Sequence, residues 1–124
     1  MNIVDSSLWL EYFSGSEAGD NISEVIEDID ELLVPTITIY EVFKKLLYER
    51  SEDDALFAIA QMKQGKVIDL NDDLSLSAGK ISIDRKLPMA DSIIYATTVK
   101  YKSILWTQDK HFFGLMFVNY FEKI

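Results

Sequence analysis

"LPMADSIIYATTVKYKSILWTQD", residues 87–109, joins a helical pattern to a strand pattern and carries an acid in each part. After Pro88, the apolar residues Met89, Ala90, Ile93 and Ile94 surround Asp91 at a helix start, where a core-facing position is ordinarily apolar. "SILWT" then reads as a short buried strand, Ile104 to Thr107, with Asp109 just past its end. A helix that feeds directly into a buried strand belongs to a crossover unit, and crossover units build parallel sheets.

Working outward from this stretch, the same alternation runs along the whole chain. "NIV" is an apolar run ended by Asp5, and "SSLWLEYF" suits a helix capped by Ser6 or Ser7. "SGSEAGDN" has turn composition, and "ISEVIEDIDELL" shows apolar spacings of three and four with acids between them. "LLVPT" is a second strand. "TITIYEVFKKLLYER" then places Ile39, Val42, Phe43, Leu46 and Leu47 on one helical stripe. Ser51 and first-turn acids open "SEDDALFAIAQMKQ", with Leu56, Ile59, Ala60 and Met62 as its apolar residues. "KVIDL" is a third strand, Asn71 or Asp72 caps "DLSLSAGKISIDRKL", and "FVNYF" offers a fifth strand. The pattern predicts an α/β fold of three layers, α/β/α, around a mostly parallel sheet of four to five short strands. Without repeats, low-complexity tracts or linkers, residues 1–124 are expected to form a single domain.

Composition narrows the function. With no cysteine, disulfides and thiolate metal sites are excluded. The N-terminal segment has no basic n-region or small-residue cleavage signal. No apolar run approaches the roughly 18 to 20 residues of a membrane span, so a cytoplasmic protein with no membrane association is expected. The net charge of −9 is unevenly placed: residues 1–35 contain Asp5, Glu11, Glu17, Asp20, Glu24, Glu27, Asp28, Asp30 and Glu31 but no Lys or Arg. The remainder is balanced, which leaves room for a mixed surface there. Charge alone gives no support to nucleic-acid binding, because phosphate affinity rests on Lys and Arg.

In a parallel sheet, ligands bind beyond the carboxyl ends of the strands. Asp5 ends strand one and Asp109 follows strand four. Glu41 lies early in the helix after strand two, and Asp91 early in the helix before strand four. Singly, each acid has an ordinary explanation as a cap, a turn residue or a partner of the helix dipole. Jointly, four carboxylates about 5 Å apart would repel by roughly 3 kcal/mol per pair at an effective dielectric near 20. Over six pairs that exceeds a domain's usual stability of about 5–15 kcal/mol. If the acids meet, protonation or a cation must neutralise them. A single histidine and no cysteine argue against zinc, whereas carboxylates and water suit Mg²⁺ or Mn²⁺. Such ions, held by acids, serve in-line displacement at phosphorus.

The order "NIVDSS", "TITIYEV", "LPMADSIIYATTVKY", "ILWTQDKHF" resembles the PIN domain family and, within it, the VapC-type toxins. The resemblance runs from Asn2 to about Val118. Asp5 and Ser6 match its first motif, Glu41 its second, Asp91 its third, and Thr107, Asp109 and Phe112 its last. It implies a metal-dependent endoribonuclease in which Asp5, Glu41, Asp91 and Asp109 bind Mg²⁺ or Mn²⁺, with Ser6 and Thr107 ordering the site. It further implies an RNA substrate, a homodimer, and a cognate antitoxin whose C-terminal segment docks at or near the active site. The family often has an acid where this chain has His111, whose simplest reading is a solvent-exposed side chain.

Other features read as structural. Lys44, Lys45 and Arg50 suit a solvated face, Lys100 a helix C-terminus, and Trp9, Tyr12 and Phe13 the core. Asp53, Asp54, Asp72 and Asp73 are helix-start acids. A haloacid-dehalogenase-like site would need an Asp where Ser7 stands, and a receiver domain would need adjacent acids before the first helix. A catalytically silent PIN-fold interaction module is the alternative from another class, but it would be expected to have lost acids, and all four stand here.

Overall fold

Successive strand residues point to opposite faces of a sheet, and here that alternation supplies two cores. In the computed structural model, which describes residues 1–123, the strands are β1 (Asn2–Val4), β2 (Leu32–Pro35), β3 (Lys66–Ile68), β4 (Ile104–Thr107) and β5 (Val118–Tyr120). They form one sheet of order β3-β2-β1-β4-β5, parallel at every pairing. Ile3 sits opposite Leu33 and Leu105, and Val4 opposite Trp106. The predicted α/β/α architecture stands, with the fifth strand present.

Val4, Leu32, Val34 and Trp106 face one cluster, shared with Leu8, Trp9, Ile22, Val42 and Met62. These last belong to α1 (Ser6–Ser14), α2 (Glu17–Glu27), α3 (Thr36–Glu49) and α4 (Glu52–Met62). Ile3, Leu33 and Leu105 face the other, with Leu74, Ala78, Ile94 and Tyr95 of α5 (Asp72–Arg85) and α6 (Met89–Lys100). Each fully buried large side chain stabilises the fold by about 1.5–3 kcal/mol. Trp9 is buried and stacks on Phe13, as expected of core aromatics.

Several local expectations shift. The cap of α1 is Asp5, whose carboxylate accepts the Ser6 N–H, rather than Ser6 or Ser7. The stretch read as a turn already contains α2, which starts at Glu17 under a Ser16 cap. Gly19 within it lies against α1, so closely that a Cβ would stand 2.4 Å from the Glu11 carbonyl oxygen. Leu47 and Leu56 are 44% and 50% exposed, and Ala60 is exposed too. The buried stripe of α4 is Ala55, Ala58 and Met62, one position round from the expected one. Ser51 and Asn71 cap α4 and α5 as predicted.

The topology gathers the acids. Parallel strands put all their carboxyl ends on one edge, with β1 at the centre between β2 and β4. Asp5 and Asp109 follow neighbouring strands, and α3 leaves that same edge at Pro35. Because α6 runs antiparallel to the strand it feeds, its first turn, with Asp91, lies at this edge as well.

Candidate active site

Asp5 is 4% exposed, so its charge needs donors. The Ser6 N–H donates to Oδ1 at 2.8 Å, the Thr107 hydroxyl to Oδ2 at 2.8 Å, and the Ser7 hydroxyl to Oδ2 at 3.3 Å. Burial nevertheless pushes its pKa from 3.8 up to about 7, against the Thr107 and Ser6 hydrogen bonds and with the charges of Asp91 and Asp109 adding to the rise. Thr107 serves two acids, since its Oγ1 also accepts the Asp109 N–H at 2.9 Å. Strand β4 thereby holds Asp5 and Asp109 in one frame.

Glu41 joins from α3. The Ser6 hydroxyl donates to its Oε1 at 2.6 Å, linking α1 to α3 across the site. Asp91 enters from α6 and is pushed up to about 6, first by burial and next by the charge of Asp109, while its hydrogen bond to His111 pulls the other way. The charge of Glu41 adds to that rise, so all four predicted acids share one electrostatic field.

They do not form one equidistant set. Ligand atoms of Asp91, Asp109 and His111 lie within 4.8 Å of one another, and Asp5 and Glu41 stand outside that group, tied to it through charge and through Thr107 and Ser6. His111 Nδ1 lies 2.9 Å from Asp91 Oδ2 and 3.1 Å from Asp109 Oδ1. The Asp109 charge, followed by the Asp91 hydrogen bond, raises the His111 pKa above its ordinary value. The ring is 55% exposed, as the solvent-exposed reading expects, and in addition its polar edge bridges two acids. Sequence reading had little purchase on this, because a lone histidine after a strand end has no spacing that marks its partners. Ser7 was also missed as a donor to Asp5.

Apart from His111, no basic side chain pairs with any of these acids among the described residues. Lys45 is engaged by Glu49 at 2.9 Å, and Lys44 lies 5.7 Å over the Tyr40 ring. A set of oxygen donors, of which Asp5 and Asp91 have raised pKa values, with one imidazole suits a hard divalent cation such as Mg²⁺ or Mn²⁺, which would replace protons as the neutralising charge. Among the described residues no helix is long and apolar enough to cross a membrane.

The sequence matches the family model of the PIN domain over residues 3–115. Among solved structures, the chain is similar to a toxin–antitoxin complex from Klebsiella pneumoniae, with a TM-score of 0.80, 22% identity and 96% of each chain covered. It is similar to VapBC2 from Rickettsia felis bound to a promoter DNA fragment, at TM-score 0.77, 10% identity and 98% of each chain. Mycobacterium tuberculosis VapC20, a toxin that cleaves the sarcin-ricin loop, aligns at TM-score 0.69 and 16% identity over 82% of this chain and 84% of that one. At these identities the structures speak for the fold. No curated protein matches by sequence.

Proposed function

The chain belongs to the PIN domain family, and from that premise we propose that it is a Mg²⁺- or Mn²⁺-dependent endoribonuclease, the toxin of a toxin–antitoxin pair. The observation that carries this reading is the convergence of Asp5, Glu41, Asp91 and Asp109 on one sheet edge, two of them with strongly raised pKa values and, among the described residues, no lysine or arginine paired with any of the four. Such a set is costly to keep unless a cation is its resident.

Asp5, Glu41, Asp91 and Asp109 would hold the metal, which when bound supplies Lewis-acid activation of water and charge stabilisation at the phosphate. The remaining work belongs to the chain. Ser6 N–H, Ser7 and Thr107 fix both oxygens of Asp5, so its orientation is set before any substrate arrives. Ser6 does the same for Glu41 through its hydroxyl. His111 holds Asp91 and Asp109 together where no other cationic side chain pairs with them among the described residues, and its ring stays open to solvent.

The toxin reading draws on similar structures that are toxin–antitoxin complexes and a toxin. An antitoxin would find a receptive surface beside Glu41, where Tyr40, Leu47 and Tyr48 line a depression with Lys44 and Lys45. By the same analogy the chain acts as a homodimer, with residues 1–124 as one PIN-like domain.

The test is incubation of total cellular RNA with purified protein in Mg²⁺ or Mn²⁺, in EDTA, and with folded Asp5→Asn and Asp91→Asn variants. Discrete fragments that require the metal and vanish in both variants are expected. No cleavage by folded, partner-free protein with metal present would favour the silent interaction module instead.

A further inference from the structure

From Asp109 the chain turns through Lys110–Phe112, a single 3-10 turn capped by the Asp109 carboxylate on the His111 N–H. Phe112 is fully buried and closes the core beneath α6, yet Phe113 is 71% exposed. The chain then returns as β5, which sets Tyr120 opposite Thr107, the residue that holds Asp5. The Phe113 and Tyr120 rings meet edge to face, 5.1 Å between centroids and 73° between planes. Together with Lys110 and Glu122 they line a depression on the β5 side of the acids.

Resting on the ribonuclease reading above, we infer that this depression is a base-binding subsite, where a nucleobase of single-stranded RNA next to the cleaved phosphate stacks on Phe113. Phe113 takes no part in the core on this side, where Phe112 is buried and Leu115 and Val118 pack against it. An edge-to-face pair leaves a ring face free, and a free aromatic face is what an unpaired base of any identity can use. Lys110, adjacent to Asp109, offers a cation to the strand's phosphates, and Glu122 offsets that charge within the same depression, so that the aromatic faces and not a net charge hold what enters. The subsite is also rigid relative to the acids: β5 is registered on β4 by Leu105↔Val118, Trp106↔Asn119 and Thr107↔Tyr120, and Phe121 N–H donates to the Thr107 carbonyl at 2.7 Å.

The test uses the full chain and, as probe, short oligouridylate carrying a single 5-iodouridine, in EDTA and again in Mg²⁺. Ultraviolet crosslinking with peptide mass spectrometry is expected to place the crosslink on Phe113 or Tyr120. In fluorescence anisotropy Phe113→Ala should weaken binding roughly tenfold, and Phe113→Trp should restore it. Because the crosslink is read on the unaltered protein, the answer does not depend on how any variant folds. Bound RNA that crosslinks only elsewhere, with unchanged affinity in Phe113→Ala, overturns the subsite and leaves the ribonuclease reading standing. A chain that neither binds nor cleaves any single strand in either condition overturns that reading and the subsite with it. If Phe113→Ala spares RNA binding but releases a bound antitoxin, this face is a protein contact and the subsite is wrong.

Discussion

The Thr107 hydroxyl donates to Asp5 Oδ2 at 2.8 Å across 102 residues of sequence, and Thr107 Oγ1 itself accepts the Asp109 N–H. Both residues are buried, so no water competes for this contact. Thr107→Val keeps the shape and removes the donor. Asp5 should then lose about 1–3 kcal/mol of compensation for its buried carboxylate, visible as a lower urea midpoint above neutral pH. Cleavage should fall about 10- to 100-fold, the usual cost of removing a group that orients a metal ligand. Thr107→Ser should retain most of both. Equal activity in the Val and wild-type proteins would remove Thr107 from the site.

Without metal, stability should decline as pH rises from about 4 to about 7. Asp5 has a folded pKa near 7 against 3.8 for the free group, so its contribution is whole below 3.8 and is lost as the carboxyl ionises in its buried setting. Asp91, near 6, acts in the same direction. His111, raised by its acid partners, also stabilises when protonated and ceases to as pH climbs through its folded pKa. For Asp5 alone, a rise of about three pH units at about 1.4 kcal/mol each gives on the order of 4 kcal/mol. Calorimetry should therefore show the metal-free Tm falling over this range, a flatter profile in Asp5→Asn, and recovery of Tm near pH 8 on adding Mg²⁺ or Mn²⁺. A Tm independent of pH from 4 to 8 in the metal-free protein would contradict the assignment of a buried carboxyl with no paired cation.

Strand and helix order could be read from the sequence because each element announces itself locally. "NIV", "LLVP" and "ILWT" are short apolar runs with an ending signal, and Ser51 and Asn71 are capping residues in plain view. That Asp5 and Asp109 follow strand ends and that Asp91 opens α6 follows from topology for the same reason, whereas Glu41 lies beyond the first turn of α3, not within it as its early position suggested. What the sequence hid depends on through-space approach. Gly19 looks like a turn residue until α1 is packed against it. His111 looks solvated until β4 and α6 bring Asp109 and Asp91 to its ring. Leu47 and Leu56 are apolar on helices, but nothing local says that their faces lie beyond the edge of the core.

Gly19→Ala tests the close packing of α1 on α2. A Cβ there would meet the Glu11 carbonyl oxygen at 2.4 Å and the Tyr12 Cα at 2.8 Å, both backbone atoms that cannot swing aside. The two helices must separate, and the loss should be about 1–3 kcal/mol or more, despite alanine's better helix propensity. Cleavage per folded molecule should be unchanged, because the site depends on the start of α1 and not on its C-terminal turn. A gain in stability would mean that α2 sits further from α1 than described.

His111 offers the most direct view of the acids, since it is the only histidine in the chain and its ring signals in NMR need no assignment. Its Nδ1 stands between Asp91 and Asp109, and their charges favour the imidazolium. Without metal, the ring should therefore titrate above the ordinary histidine value of about 6.5. Asp91→Asn keeps the side chain's size while removing one charge and should move the titration down. Mg²⁺, which is diamagnetic and leaves the spectrum sharp, should also move it down, because a cation on the acids cancels the field that holds the proton. The two shifts should not add: once Asp91 is neutral, less field remains for the ion to cancel. A titration that ignores both changes would mean that the ring swings free in solution, and the bridge between Asp91 and Asp109 would have to be abandoned.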